Sequence, residues 1–220
     1  MAILSSIRTQ LDLELRLETR NKFSLYAILL YVSGTVFICY LSFLGSLNPA
    51  TWNALFWIIL LFSAIQASSK SFLNQSRGNF IYQYSQISPQ ALIVAKTLYN
   101  IGLMLLVAFS GLLFFTLFLN NPVQDHLLYL ISILLGSMGF ASILSMVSAI
   151  ASRSGNNLGL MSVLSFPLLL PLLLTCIRLS KNAMDGLDWS VSYKFLIVLL
   201  ALNTITWVLS YLLFPYLWRE

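Results

Sequence analysis

Charge is what this sequence has least of: Asp, Glu, Lys and Arg make up 9% of its 220 residues, against 59% hydrophobic. A water-facing surface ordinarily takes about a quarter of a chain's residues as charges, so these few cannot cover a soluble domain. Soluble enzymes, disordered proteins and nucleic-acid binders are excluded on that ground, although the +5 net charge taken alone would suit a nucleic-acid partner. Cysteine occurs only as Cys39 and Cys176, both within long apolar runs, where they read as packing residues rather than a disulfide or a metal pair. The one histidine, His126, follows Asp125 in a loop with no second ligand near it, which reads as an exposed residue rather than a haem or metal ligand. H-E-x-x-H, C-x-x-C and Ser/His/Asp arrangements are missing, so neither catalytic residues nor a metal site are expected.

Long apolar runs are what the chain does have. A helix needs about 20 mainly apolar residues to cross hydrocarbon with every backbone amide paired internally. Six stretches qualify: residues 23–44, 52–68, 91–119, 127–151, 157–177 and 195–214, the third long enough to begin outside the lipid or to tilt. Runs such as 112–119 and 168–174 are apolar on every side, unlike the alternating strands of a membrane barrel. The expected fold is an all-α membrane protein: a six-span domain at 23–220 behind an amphipathic arm at 1–22.

The few bases set the orientation, because Lys and Arg are retained on the cytoplasmic side. Arg8, Arg16, Arg20, Lys22, Lys70, Arg77, Lys96, Arg153 and Arg219 fall on one side of the six spans, nine of the twelve basic residues. Arg178, Lys181 and Lys194 fall on the other, with Asp125, Asp185 and Asp188. Both termini are expected in the cytoplasm, and the charged arm ahead of the first span marks that span as a retained helix rather than a signal peptide.

The arm carries two periods at once. Leu11, Leu13, Leu15 and Leu17 alternate with Asp12, Glu14, Arg16 and Glu18, whereas Ile3, Ile7, Leu11 and Leu15 form an i, i+4 stripe. Asp12–Arg16 and Glu18–Lys22 are spaced as helical ion pairs with the acid first. A lone strand beside a membrane would leave its edges unpaired, so a helix in the headgroup region is expected, leucines inward and bases near lipid phosphates.

The polar stretch at about 69–90 is expected to form a second cytoplasmic loop with a short helix across the bundle face. There Phe80, Tyr82 and Tyr84 mix with Gln83 and Gln86, a combination that suits either a protein partner or anchoring at headgroup level. Ser88-Pro89 then caps and opens the next helix.

Within the spans, no charge occupies a central position, which disfavours a proton- or ion-coupled carrier. Gln66, Asn100 and Asn203 read as interhelical hydrogen-bond groups. Ser137, Ala141, Ser145 and Ala149 recur every four residues near Gly136 and Gly139, and Gly155 and Gly159 form a G-x-x-x-G; small residues of this kind let helices approach closely. Pro167 and Pro171 remove two amide donors, so the fifth span is expected to kink or unwind near mid-membrane, as a hinge or a path lining.

Three places together resemble a known family. They are the arm at 7–20 with Glu14-Leu15-Arg16, the stretch Ile87-Ser88-Pro89-Gln90-Ala91-Leu92-Ile93-Val94-Ala95-Lys96, and Leu135-Gly136-Ser137-Met138-Gly139-Phe140 followed by Ser152-Arg153 and Phe166-Pro167-Leu168-Leu169-Leu170-Pro171-Leu172-Leu173. In this order they resemble the CcmB family, protein B of the cytochrome c maturation system, a six-span permease of the ABC-2 type. One departure is Ser69-Lys70-Ser71-Phe72-Leu73-Asn74, which keeps the phenylalanine of an E-x-x-F-x-x-D pattern without its carboxylates.

The resemblance implies an inner-membrane permease subunit that binds no cofactor itself. ATP would act through a separate cassette ATPase (CcmA-like), since no G-x-x-x-x-G-K-[ST] loop is present. A haem-handling membrane protein (CcmC-like) and a small membrane subunit (CcmD-like) would be further partners in the lipid bilayer. In such a subunit the loop residues Phe80, Tyr82, Gln83, Tyr84, Gln86 and Ser88 are expected to receive the stroke of the ATPase and pass it to the third span. Haem is the candidate substrate, with ATP-driven release of a haem-loaded chaperone as the alternative to export. A permease for a lipid or drug and a membrane scaffold that moves nothing are the other readings.

Overall fold

The computed structural model describes residues 2–20, 23–43, 47–72, 88–153 and 158–219. Among these residues every regular element is a helix: α1 (Ala2–Arg20), α2 (Phe23–Phe43), α3 (Pro49–Phe72), α4 (Pro89–Leu119), α5 (His126–Arg153), α6 (Leu158–Met184) and α7 (Trp189–Arg219). Helices α2 to α7 each hold a stretch long and apolar enough to cross a membrane. The chain is thus an all-α, multi-pass membrane protein, as its apolar runs require.

The last two spans are longer than their hydropathy alone predicts, reaching Gly159–Met184 and Trp189–Tyr216 instead of 157–177 and 195–214. Arg178, Lys181 and Lys194 lie on exposed faces of these helices near their joined ends. Long basic side chains there extend to the interface without breaking the helix, although they end an apolar run.

Helix α5 is the centre of the bundle, packed against α3, α4, α6 and α7. Its span is 67% buried, compared with 17% for the peripheral α2. Small residues allow that position: a Cβ at Gly136 would lie 2.6 Å from the Trp57 ring of α3 and 3.0 Å from Cys176 Sγ of α6. At Gly139 it would lie 2.6 Å from both Leu172 methyls. Ser137, Ala141 and Ser145 are fully buried on the same helix.

Polar side chains inside the bundle join neighbouring helices. Asn100 donates to Ser145 Oγ at 2.7 Å and Asn203 to the Leu135 carbonyl at 3.1 Å, while Gln66 lies on an exposed side of α3. A further network runs from Trp57 Nε1 to Ser180 Oγ (2.8 Å) and on to Asn53 Oδ1 (2.8 Å), with Asn53 Nδ2 donating to the Ile177 carbonyl.

Helix α6 does not unwind at its prolines; it stays helical from Leu158 to Met184 with Pro167 and Pro171 inside. Both rings lie on its exposed side, beside Phe166, Leu168, Leu170 and Leu174. Among the described residues no helix covers the rings there, and a membrane helix can run through prolines where local adjustment re-satisfies the freed backbone groups.

Contacts define two ends of the bundle. At one, called here the arm end, α1 meets the start of α4, and Leu92 and Ile93 pack with Ala149 of α5 and Phe214 of α7. At the far end, Asp125 caps α5 by accepting from the Leu128 amide (3.0 Å), and its second oxygen accepts from Trp189 Nε1 (2.9 Å).

Candidate functional site

Among the described residues, the arm end holds the fully buried charged side chain, Lys96. Helix α1 turns Gln10, Glu14 and Glu18, spaced i, i+4, towards α4, while Arg8, Asp12, Arg16 and Arg20 are exposed. Gln10 is 2% exposed, and Glu14 Oε1 lies 2.9 Å from Lys96 Nζ. Lys96 is completely buried, two turns into α4. A lone ammonium at that depth would be strongly unfavourable, so the acidic face of the arm is what makes the position tenable.

This corrects the expected mode of attachment. The arm is helical, but a polar edge rather than a leucine stripe holds it. Ile7 and Leu11 are half-buried, whereas Leu15 is 47% exposed, with Leu13 and Leu17 similarly exposed. Asp12 and Arg16, spaced as an ion pair, point outward and do not form one; Lys22, the expected partner of Glu18, lies outside the described residues.

Helix α4 starts at Ser88-Pro89, but by a different bond from the one expected. The Ser88 carbonyl accepts from the Leu92 amide at 3.1 Å, and its hydroxyl makes no cap. From there Ala91, Leu92, Ile93, Ala95, Lys96 and Thr97 are buried, with Val94 between them half-buried. One turn further, Asn100 bonds Ser145 of α5, and Ser148 of α5 donates to the Ser68 carbonyl of α3 at 3.2 Å. The first three turns of α4 therefore touch α1, α5 and α7 directly and reach α3 through α5.

Of the residues expected to couple to a partner, Ser88 is described and exposed; Phe80, Tyr82, Gln83, Tyr84 and Gln86 lie outside the described residues. So does Gly155, whereas Gly159 is exposed at the start of α6. Ser145 belongs to the arm-end cluster through Asn100. Gly136, Gly139 and Ala141 pack deeper in the bundle, and Pro167 and Pro171 lie apart on its outer face.

The sequence places Lys96 among the bases of one side and Glu14 in the arm, without pairing the two. The missed signal is a base in the second turn of an apolar span together with an acid-bearing helix able to fold back over it.

Among the described residues no group of three or more His, Cys, Asp or Glu could hold a metal. His126 is exposed at the far end, its Nε2 3.3 Å from Asn121 Nδ2. Buried contacts on several sides of α4 instead suit transmission of a displacement from its exposed start into the bundle.

A family model described as CcmB protein matches residues 5–215, nearly the whole chain. Among curated proteins, none matches.

Proposed function

This chain belongs to the CcmB family, the permease of the cytochrome c maturation haem export system, and we propose on that premise that it is the non-catalytic subunit driven by a separate cassette ATPase. Membrane permease subunits of this kind are generally non-catalytic, and the family implies a Ccm transporter complex. In our reading the ATPase docks on the segment ahead of Ser88, through Phe80, Tyr82, Gln83, Tyr84 and Gln86. Its stroke enters α4 and moves haem outward or releases a haem-loaded chaperone. A haem-handling protein and a small membrane subunit assemble beside it in the bacterial inner membrane. The arm end faces the cytoplasm, where most of the basic residues gather.

The observation that carries this reading is the burial of α4 from Ala91 to Thr97 directly behind an exposed start, with Lys96 tied to Glu14. A partner acting ahead of Ser88 needs such a junction to act on the membrane domain. Pulldown of the tagged chain in mild detergent, followed by mass spectrometry, tests it. A cassette ATPase together with c-type cytochrome maturation proteins is expected; recovery of neither would refute the assignment.

A further inference from the structure

A groove of about 350 Å³ opens where α1, α2 and α4 meet, bordered by Leu15 and Glu18 of α1, Leu25 of α2, and Tyr99, Gly102 and Leu106 of α4. Gly102 leaves a notch in its wall, since a Cβ built there meets no atom within 4 Å. Tyr99 to Leu106 covers about 10 Å along α4, inside the span Pro89–Leu119, so the groove opens to bilayer lipid.

The groove is mostly apolar; Thr19 on its border already donates to the Arg16 carbonyl, and the other polar place is formed by Glu18 and Tyr99. Glu18 Oε1 and Tyr99 Oη are both buried and neighbour one another, and neither has a hydrogen-bond partner of good geometry in the protein. A buried carboxylate oxygen left unsatisfied is costly, which makes such a pair an incomplete recognition site. An ammonium would satisfy the carboxylate, and an adjacent anionic oxygen would accept from the phenol.

We propose that this groove binds phosphatidylethanolamine, one acyl chain lying along the Gly102 notch, the ammonium donating to Glu18 and the phosphate accepting from Tyr99. Charge complementarity selects this lipid. A choline headgroup has no N–H to donate, and a glycerol headgroup brings a phosphate to Glu18 with no cation to offset it.

The test uses the full chain, delipidated in mild detergent and offered phosphatidylethanolamine, phosphatidylcholine or phosphatidylglycerol, with retained lipid counted by native mass spectrometry. One phosphatidylethanolamine per chain is expected, held about tenfold more tightly than the choline lipid. Glu18→Gln should reduce that preference to about twofold or less, and Gly102→Leu should abolish retention of every lipid. Both variants should fold, because Glu18 is only half-buried and the Gly102 notch is open; unchanged thermal midpoints check this. Equal retention of the ethanolamine and choline lipids, preference for phosphatidylglycerol, or an unaltered preference in Glu18→Gln overturns the proposal. So does disulfide dimerisation of Gly102→Cys chains in bilayers, which would put a second copy in the groove.

Discussion

Lys96 of α4, with no exposed surface, holds its ammonium 2.9 Å from the Glu14 carboxylate of the N-terminal helix. The pair ties the arm to the helix that begins where the proposed ATPase contact ends. Its value to the protein is attachment more than net stability, because both ions lose most of their hydration.

That distinction yields the first prediction. Glu14→Gln removes the carboxylate 2.9 Å from the buried Lys96 ammonium and should destabilise the purified protein by about 3 kcal/mol. Replacing both, as Glu14→Leu with Lys96→Met, should return stability to within about 1 kcal/mol of the parent, since an apolar pair needs no compensation. Reversible denaturation in detergent micelles measures both. The double variant should still lose communication between the arm and α4, seen as raised hydrogen exchange along residues 2–20.

Truncating Leu92 or Ile93 removes apolar contact between the start of α4 and Ala149 and Phe214. Each change to alanine should cost about 2–4 kcal/mol, as for other buried large-to-small substitutions. Unlike distant core truncations of equal cost, these should also lower ATPase turnover in the assembled complex. A matched control is Leu169→Ala, a buried position elsewhere on α6.

Gly136 and Gly139 separate by the rigidity of what faces them. A methyl at Gly136 would meet the Trp57 ring at 2.6 Å, and a ring cannot bend away. Overpacking of about 2–3 kcal/mol should outweigh the roughly 1 kcal/mol that alanine gains over glycine in a helix. At Gly139 the obstacle is the branched end of Leu172, which can change rotamer, so Gly139→Ala should be closer to neutral. Thermal midpoints of the two variants in the same detergent should rank accordingly.

At the far end, Asp125→Ala removes both the cap of α5 and the acceptor for Trp189. A loss of about 1–2 kcal/mol is expected. ATPase association and turnover should be unchanged, because this corner lies at the opposite end from α4's start.

The six spans are legible in the sequence because hydrocarbon demands continuous apolar runs, and the central role of α5 is foreshadowed by its glycines and serines. The ends of α6 and α7 are not, because Arg178, Lys181 and Lys194 interrupt apolarity without interrupting the helix. Of the kink or unwinding expected at Pro167 and Pro171, unwinding does not occur, and the sequence alone cannot register that both rings face outward. The pairing of Glu14 with Lys96 escapes for another reason. It depends on a tertiary contact between remote helices, and each residue alone looks like an ordinary surface charge. Asn53 is missed in the same way, since its partners Ser180 and Ile177 come from a helix far along the chain.

The central claim is that work enters this membrane domain through the segment ahead of Ser88 and passes into α4. ATP turnover by the copurified complex, measured with residues 82–86 replaced by a Gly/Ser stretch, tests it most directly. The account predicts normal membrane insertion together with loss of ATPase association or of coupled turnover; unchanged association and turnover would contradict it.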